Sequence, residues 1–241
     1  MKVLSIDVGI KNLGLCLVNF EDNNIENHKI EYWNIINLAE DILNAQLKCC
    51  VTRRGMICNK FATKKIILED KILGFCDLKT CQKELNSTYG KKKIKKNKLL
   101  TTKDISLQDL GKKVFKEIEN IDCLGELDTV VIENQPVLKN PTMKSVQMLV
   151  YSYFLYIAEI NKRNIHLKLF NAGRKLKIYD GPKIDISHLK DNYKKQKYLL
   201  VKYCIYFIEK YNLEFKQFFL DNKKKDDLSD CYLQALTYYY K

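Results

Sequence analysis

Long apolar runs are missing from this chain, and so is any sign of a secretory leader. No hydrophobic stretch approaches the roughly 20 residues needed to cross a bilayer. The longest, MLVYSYFLYIAEI at 148–160, is too short and reads as a buried helix. The start, MKVLSIDVG, meets an acid at position 7 and has no cleavage-site pattern, so the expectation is an intracellular protein with no membrane partner. Histidine is scarce. His28, His166 and His188 lie at no metal-ligand spacing from the cysteines, and no chemistry is assigned to them. No internal repeat is visible, which excludes a repeat array.

Acidic residues are in the minority. There are 29 Asp and Glu against 42 Lys and Arg, a formal net charge of +13 that favours polyanions such as nucleic acid. The alternative is a lysine-rich, solvated surface from a genome of biased composition. Hydrophobic residues make up 46%, enough for a real core and against global disorder. A chain of 241 residues fits one sizeable domain with an insertion. Nine cysteines without a secretion signal are thiols or metal ligands before they are disulfides.

The pattern along the chain predicts a mixed α/β layout. Residues 2–8, 13–20 and 28–35 read as strands, the first two around the turn GIKN, and 36–48 as a helix. Texture changes over 49–100, which holds five of the nine cysteines and ends in the basic stretch KKKIKKNK at 91–98. We read it as an insertion and a solvated linker, interrupting one domain that otherwise runs over 1–241. An amphipathic helix follows, with Asp104 or Thr102 as N-cap. Then come a strand at 128–134, a helix at about 142–162, a strand at 165–171 and a polar, irregular segment at 173–190. Helices at about 190–212 and 226–240 close the chain. Helices can cover a central sheet in this order.

Four acids carry the chemistry. Asp7 lies in the apolar strand KVLSIDVG, near Gly9 and Gly14, where a glycine lets a backbone or ligand approach. Glu133 ends the apolar run TVVIE, where open α/β sheets put their active sites. Asp227 and Asp230 are three apart in KKKDDLSDCYLQAL and share a helical face, with Asp226 pointing elsewhere. A carboxylate in a buried strand is costly unless a cation or proton offsets it. Together the four are suited to two Mg²⁺ ions clamping the attacking and leaving oxygens of a phosphodiester, with Mn²⁺ able to substitute. The acids also have plain structural readings: a turn cap for Asp7, a salt bridge for Glu133, and a helix N-terminus for Asp226 and Asp227, which is weaker for Asp230, one turn further in.

SIDVGIKNLGLCLV, VVIENQP and KKDDLSDCYLQAL resemble the three acidic motifs of RuvC-type Holliday junction resolvases, within the RNase H-like superfamily. The likeness is to the branch found in poxviruses, other large DNA viruses and fungal mitochondria. It covers roughly 1–40 and 101–241, and the Gln135–Pro136 pair narrows the subfamily. The resemblance implies an RNase H-like mixed sheet flanked by helices. It implies that Asp7, Glu133, Asp227 and Asp230 bind the metals. It further implies a homodimer making paired nicks in four-way or branched DNA during recombination or replication. A viral source would make a replication site in host cytoplasm plausible, with the nucleus still open. The family also places a lysine near the scissile phosphate, in a basic cluster matching NYKKQKYLLVKY, so Lys194 or Lys195 is expected there. Lys144 is expected to contact the DNA backbone. Two alternatives stand: another RNase H-like nuclease acting on RNA–DNA hybrids or flaps, and a non-catalytic zinc-dependent nucleic-acid-binding protein.

Cys50, Cys58, Cys76 and Cys81 have the pattern C-x7-C-x17-C-x4-C, in a segment too small for its own core. Four thiolates can hold Zn²⁺ tetrahedrally and fold such a segment. The stretch resembles short zinc-binding elements in proteins of large DNA viruses, which often end in histidine rather than a cysteine such as Cys81. Cys49 competes with Cys50, and unliganded thiols in a surface loop remain the other reading. Cys16, Cys123, Cys204 and Cys231 are expected in the core. The same holds for Trp33, Tyr151, Tyr153 and Tyr156, some of which would suit a dimer interface.

Overall fold

The computed structural model describes residues 1–22, 24–90, 93–138 and 140–240. In chain order its elements are β1 (Lys2–Asp7), β2 (Leu13–Phe20), β3 (His28–Ile36), α1 (Glu40–Asn44), β4 (Thr52–Arg53), β5 (Met56–Ile57), β6 (Lys64–Ile67), β7 (Ile72–Phe75), α2 (Lys79–Tyr89), β8 (Lys95–Lys96), α3 (Leu107–Glu119), β9 (Thr129–Glu133), α4 (Pro141–Ile160), β10 (His166–Phe170), α5 (Asn192–Tyr211), α6 (Lys216–Asp221) and α7 (Lys225–Tyr240). Two compact units result: Met1–Leu38 with Ser106–Lys241, and Ala39–Ile105. The second is wider than the 49–100 read from the sequence.

The first unit is the expected α/β arrangement, a mixed sheet flanked by helices. Its five strands run in the order β10-β9-β1-β2-β3. The apolar alternation of the first 36 residues makes an antiparallel meander, with Asp7 opposite Gly14. β9 and β10 add in parallel on the other side of β1, joined by the crossover helix α4.

Alternate residues of a strand face opposite sides. Val3, Cys16, Val18 and Val131 share a core cluster with Leu228, Cys231 and Tyr232 of α7 and with Cys204 and Phe207 of α5. Leu4, Ile6, Leu15, Leu17, Val130 and Ile132 point the other way and are fully buried as well. On that side α3 and α4 pack together along β9 and β10. Val3, Ser5 and Asp7 share one face with Thr129, Val131 and Glu133 by register, so both acids end their strands under α7.

Trp33, Cys16, Cys204, Cys231 and Tyr153 are buried as expected, whereas Tyr151 and Cys123 are half-buried and Tyr156 is exposed. The cap of α3 is Ser106, whose side chain accepts from the Asp109 amide. Neither Thr102 nor Asp104 serves, because Asp104 accepts from the Thr101 amide in a 3₁₀ turn before the helix. Helix α6 was not anticipated.

In the second unit β4 pairs with β5, and β6 lies between β7 and β8. The expected helix over 36–48 is only five residues, since the Gln46 side chain donates to the Leu43 carbonyl and ends it. Arg54 and Gly55 have φ of 47° and 79°, the two left-handed positions of a type I′ hairpin turn between β4 and β5. Part of the stretch read as a linker is strand β8; its first two residues, Lys91 and Lys92, lie outside the described residues.

Candidate active site

The C-terminal ends of β1 and β9 open into a cleft of about 600 Å³. Asp7, Glu133, Asp227 and Asp230 all line it. Two glutamines set the geometry. Gln135 donates its amide N–H to Gln147 Oε1 of α4 at 2.7 Å and its side chain to the Val8 carbonyl at 3.4 Å, which ties the end of β9 to the end of β1. On α7, Gln234 donates to the carbonyls of Ile6 and Val131, both at 3.2 Å. Asp227, Asp230 and Gln234 thus share the sheet-facing side of one helix. Gly14 lets that helix come close, because a Cβ there would sit 3.1 Å from the Asp227 carbonyl oxygen.

Carboxylate oxygens of Asp7, Asp227 and Asp230 lie within 4.8 Å of one another. Glu133 is held beside them by a lysine. Lys175 Nζ is 3.1 Å from Glu133 Oε2, 3.2 Å from Asp230 Oδ1 and 3.6 Å from Asp7 Oδ1, with its side chain only 2% exposed. Lys197 Nζ lies 2.9 Å from Asp230 Oδ2 and 3.4 Å from Asp226 Oδ2. Burial pushes the carboxyl of Asp7 up to about 7 despite Lys175, and Glu133 adds to the shift. Burial raises Asp227 to about 6, helped by Asp226 and Asp7. Burial alone would lower Lys175, but Asp7, Asp230 and Glu133 outweigh it and hold the ammonium charged.

These residues fit a divalent cation. The donors are all carboxylate oxygens, the chemistry Mg²⁺ takes. Asp227 Oδ2 is buried with no hydrogen-bond partner. Such an orphaned acceptor is costly unless something else satisfies it.

Two lysines here differ from those expected. On α5 the cleft is lined by Tyr193, Gln196, Lys197 and Leu200, spaced three and four apart on one helical face. Lys194 and Lys195 fall outside it; their amides instead bond Asp191 at the start of the helix. The reaching lysine is therefore Lys197. Sequence reading missed Lys175 altogether, because it lies in the segment read as polar and irregular. That segment contains a 3₁₀ stretch, Ala172–Ile178, and only its backbone path separates Lys175 from Lys177. Lys144, on the first turn of α4, donates to Asn134 Oδ1 at 2.9 Å and Gln147 Oε1 at 3.2 Å.

A second cluster lies in the Ala39–Ile105 unit. The Sγ atoms of Cys49, Cys58, Cys76 and Cys81 lie within 4.8 Å of one another. Cys50 is exposed and outside the group. Cys49 forms an isolated bridge with Gly74, so the chain is extended there and consecutive side chains point opposite ways. Cys49–Cys81 and Cys58–Cys76 separations are 3.5 and 3.7 Å. A disulfide needs about 2.05 Å. A tetrahedron of Zn–S bonds of about 2.3 Å has an edge of about 3.8 Å. The Lys60 amide lowers the Cys58 thiol to about 7, and Arg53 donates to Cys81 Sγ at 2.6 Å, favouring its thiolate against the burial that still raises Cys49, Cys76 and Cys81.

This chain is similar to several known proteins. A 28% identical relative, protein L451 of Acanthamoeba polyphaga mimivirus, aligns over 312 residues, 99% of this chain and 74% of its own. Among solved structures, the yeast mitochondrial Holliday junction resolvase Ydc2 is similar, at 15% identity and TM-score 0.45, over 99% of this chain and 78% of that one. So is Thermus thermophilus RuvC, at 10% identity and TM-score 0.48, over 100% and 95%. The Fowlpox virus resolvase, solved with Holliday junction DNA, is 13% identical with TM-score 0.43, over 99% and 97%. Residues 3–137, more than half the sequence and inclusive of Asp7 and Glu133, match the family described as mitochondrial resolvase Ydc2 / RNA splicing MRS1, and the chain belongs to that family.

Proposed function

We propose that this protein is a Mg²⁺-dependent endonuclease that resolves four-way DNA junctions by paired nicks. The family joins a resolvase with an RNA splicing protein, so membership alone admits both roles. The observation that carries the cutting role is the convergence of Asp7, Asp227 and Asp230, with a buried Asp227 oxygen that no protein group satisfies. Bound at those oxygens, Mg²⁺ would polarise the phosphodiester and lower the pKa of an attacking water.

The chain's own groups do the rest. Asp7, Asp227 and Asp230 supply ligand oxygens, and Glu133 adds a fourth carboxylate on the adjacent strand. Lys175 offsets the excess negative charge of the cleft. Lys197, half-exposed at the cleft wall, presents an ammonium to charge developing on the phosphate. Lys144, on the first turn of α4, is suited to a backbone phosphate near the cleft.

A homodimer completes the reading, since two sites must face two opposed strands of a nearly two-fold junction. The exposed apolar stripe Met148, Leu155, Tyr156 and Ile160 on α4 supports a protein contact there. In the second unit the reading assigns a structural Zn²⁺ to Cys49, Cys58, Cys76 and Cys81. Incubating the protein with a labelled synthetic four-way junction and a matched linear duplex tests the proposal. Symmetric nicks in the junction alone, dependent on Mg²⁺, are expected. Asp7→Asn protein should bind the junction yet cut it roughly 10²–10³-fold more slowly. Equal cutting of both substrates, or undiminished cutting by the variant, would refute the assignment.

A further inference from the structure

Charge is distributed very unevenly between the two units. Residues 39–105 contain sixteen Lys and Arg against seven Asp and Glu, a net +9 of the chain's +13. The other 174 residues hold the acids and bases nearly in balance.

Part of this excess is built into a sheet. β6 and β8 pair so that Lys64 stands opposite Lys96 and Lys65 opposite Lys95. Like charges placed directly across a ladder are destabilising. Among the described residues none of the four forms an ion pair, although Glu69 and Asp70 line the same depression as Lys95. Among the described residues, Lys65, Lys93, Lys95 and Lys96 have no acidic partner, and Lys93, Lys95 and Lys96 are exposed. Beyond Lys65 on the same face stand Ile67 and Ile72, paired across β6 and β7 and each about half exposed, at 51% and 52%. Adjacent strand residues face opposite sides, so Lys64 and Lys96 lie on one face, where Lys64 donates to Gln82 Oε1 of α2, and Lys65 and Lys95 lie on the other, with Lys93 beside Lys95; these last three make a surface that an external polyanion would complete.

We infer that the face of β6 and β8 that carries Lys65 and Lys95, with Lys93 beside them, is a phosphate-backbone binding surface for duplex DNA, distinct from the carboxylate cleft. Its occupant is set by charge complementarity. Lys65, Lys93 and Lys95 present a compact patch of positive charge, and duplex DNA presents a regular row of phosphates. No base-reading group is needed, so binding is to shape and charge rather than to sequence. The thiol cluster holds the scaffold: β7 ends at Phe75, immediately before Cys76, and Cys81 lies in the first turn of α2. The inference rests on the nucleic-acid reading above but not on cleavage.

The test is binding of full-length protein to a labelled 30-base-pair duplex and to a synthetic four-way junction, in Mg²⁺-free buffer, over a series of salt concentrations. The variant is Lys65→Gln/Lys93→Gln/Lys95→Gln. Each lost phosphate contact lowers the salt slope by about 1. The variant should therefore bind both probes about tenfold more weakly or worse, with a slope lower by roughly 2–3. Lys65→Arg/Lys93→Arg/Lys95→Arg keeps the charge and should bind as the parent does. Zinc content and melting temperature measured on each variant confirm that the unit is folded. Unchanged affinity and slope in the folded Gln variant would overturn the inference, and so would equal losses in the Arg variant. Failure of the nuclease reading shows separately, as absent Mg²⁺-dependent cutting, because this assay requires none.

Discussion

The carboxylate cleft and the thiol cluster both gather four ligand-type side chains, yet they are supported in opposite ways. The acids stand on the edge of a core with twenty buried residues in the α7-side cluster alone. Their positions follow from strand register and helix packing, and charge in the metal-free site is balanced by Lys175 and Lys197. The thiols belong to a cluster of seven buried residues, three of which are the cysteines themselves. There the ligands are the core. The difference teaches that, under the proposed reading, a metal in the first unit would be a reagent added to a finished fold, and one in the second would be a structural member.

Removing the metal proposed at the thiols should have the largest effect. Structural zinc contributes roughly 10–16 kcal/mol in small domains. Cys81→Ser is expected to release the metal and expose residues 39–105 to hydrogen exchange, while amides of the five-stranded sheet stay protected. Cys50→Ser should change neither. Full protection of 39–105 in the metal-free Cys81→Ser protein would break the contrast.

Next comes Lys175→Met. Deleting one partner of a buried ionic cluster costs about 3–5 kcal/mol because the remaining charges are left uncompensated. Mg²⁺ can replace the lost charge, so it should raise the melting temperature of the variant more than that of the parent. An equal rise in both would show that Lys175 does not stand in for cationic charge in the cleft.

Proton linkage gives a smaller effect of defined sign. Asp7 at about 7 and Asp227 at about 6 both lie above the ordinary value of 3.8. Folding therefore favours their protonated forms. In metal-free protein their contribution is fully present below about pH 4 and is given up as pH rises towards 7. Metal binding requires the ionised acids, so the stabilisation by Mg²⁺ should grow between pH 5.5 and about 7.5. Thermal melts with and without Mg²⁺ across that range check it; a gap independent of pH would contradict the burial of these acids.

Gly14→Ala should have the smallest effect. Its Cβ would meet the Asp227 carbonyl oxygen at 3.1 Å and Cys231 Sγ at 3.5 Å. Overpacking of this kind costs about 1 kcal/mol or somewhat more. A several-fold slower cleavage with little loss of stability is expected from the shift in α7. Unaltered cleavage would show that α7 tolerates the displacement.

Legibility in the sequence followed the same divide. Asp7, Glu133, Asp227 and Asp230 were readable because each sits in a strand or helix whose period announces it, and the structure brings all four to one cleft. Lys175 was not, since a 3₁₀ stretch in a polar segment leaves no periodic trace. The sequence pointed to Lys194 or Lys195 and passed over Lys197, because which of them reaches the cleft turns on helical phase, set by where Asp191 caps α5. Cys49 and Cys50 are chemically identical neighbours, and only the direction of an extended chain separates them.

By itself the sequence determined the strand meander, the crossover helices, the acidic motifs and the excess of positive charge, because hydrophobic period and residue chemistry are local properties. Tertiary structure alone decided which ammonium groups reach the carboxylates, which four thiols converge, and that lysines stand opposite lysines in β6 and β8. Those are relations between residues far apart in the chain, and their distances are fixed only once burial of the core has selected one packing among many.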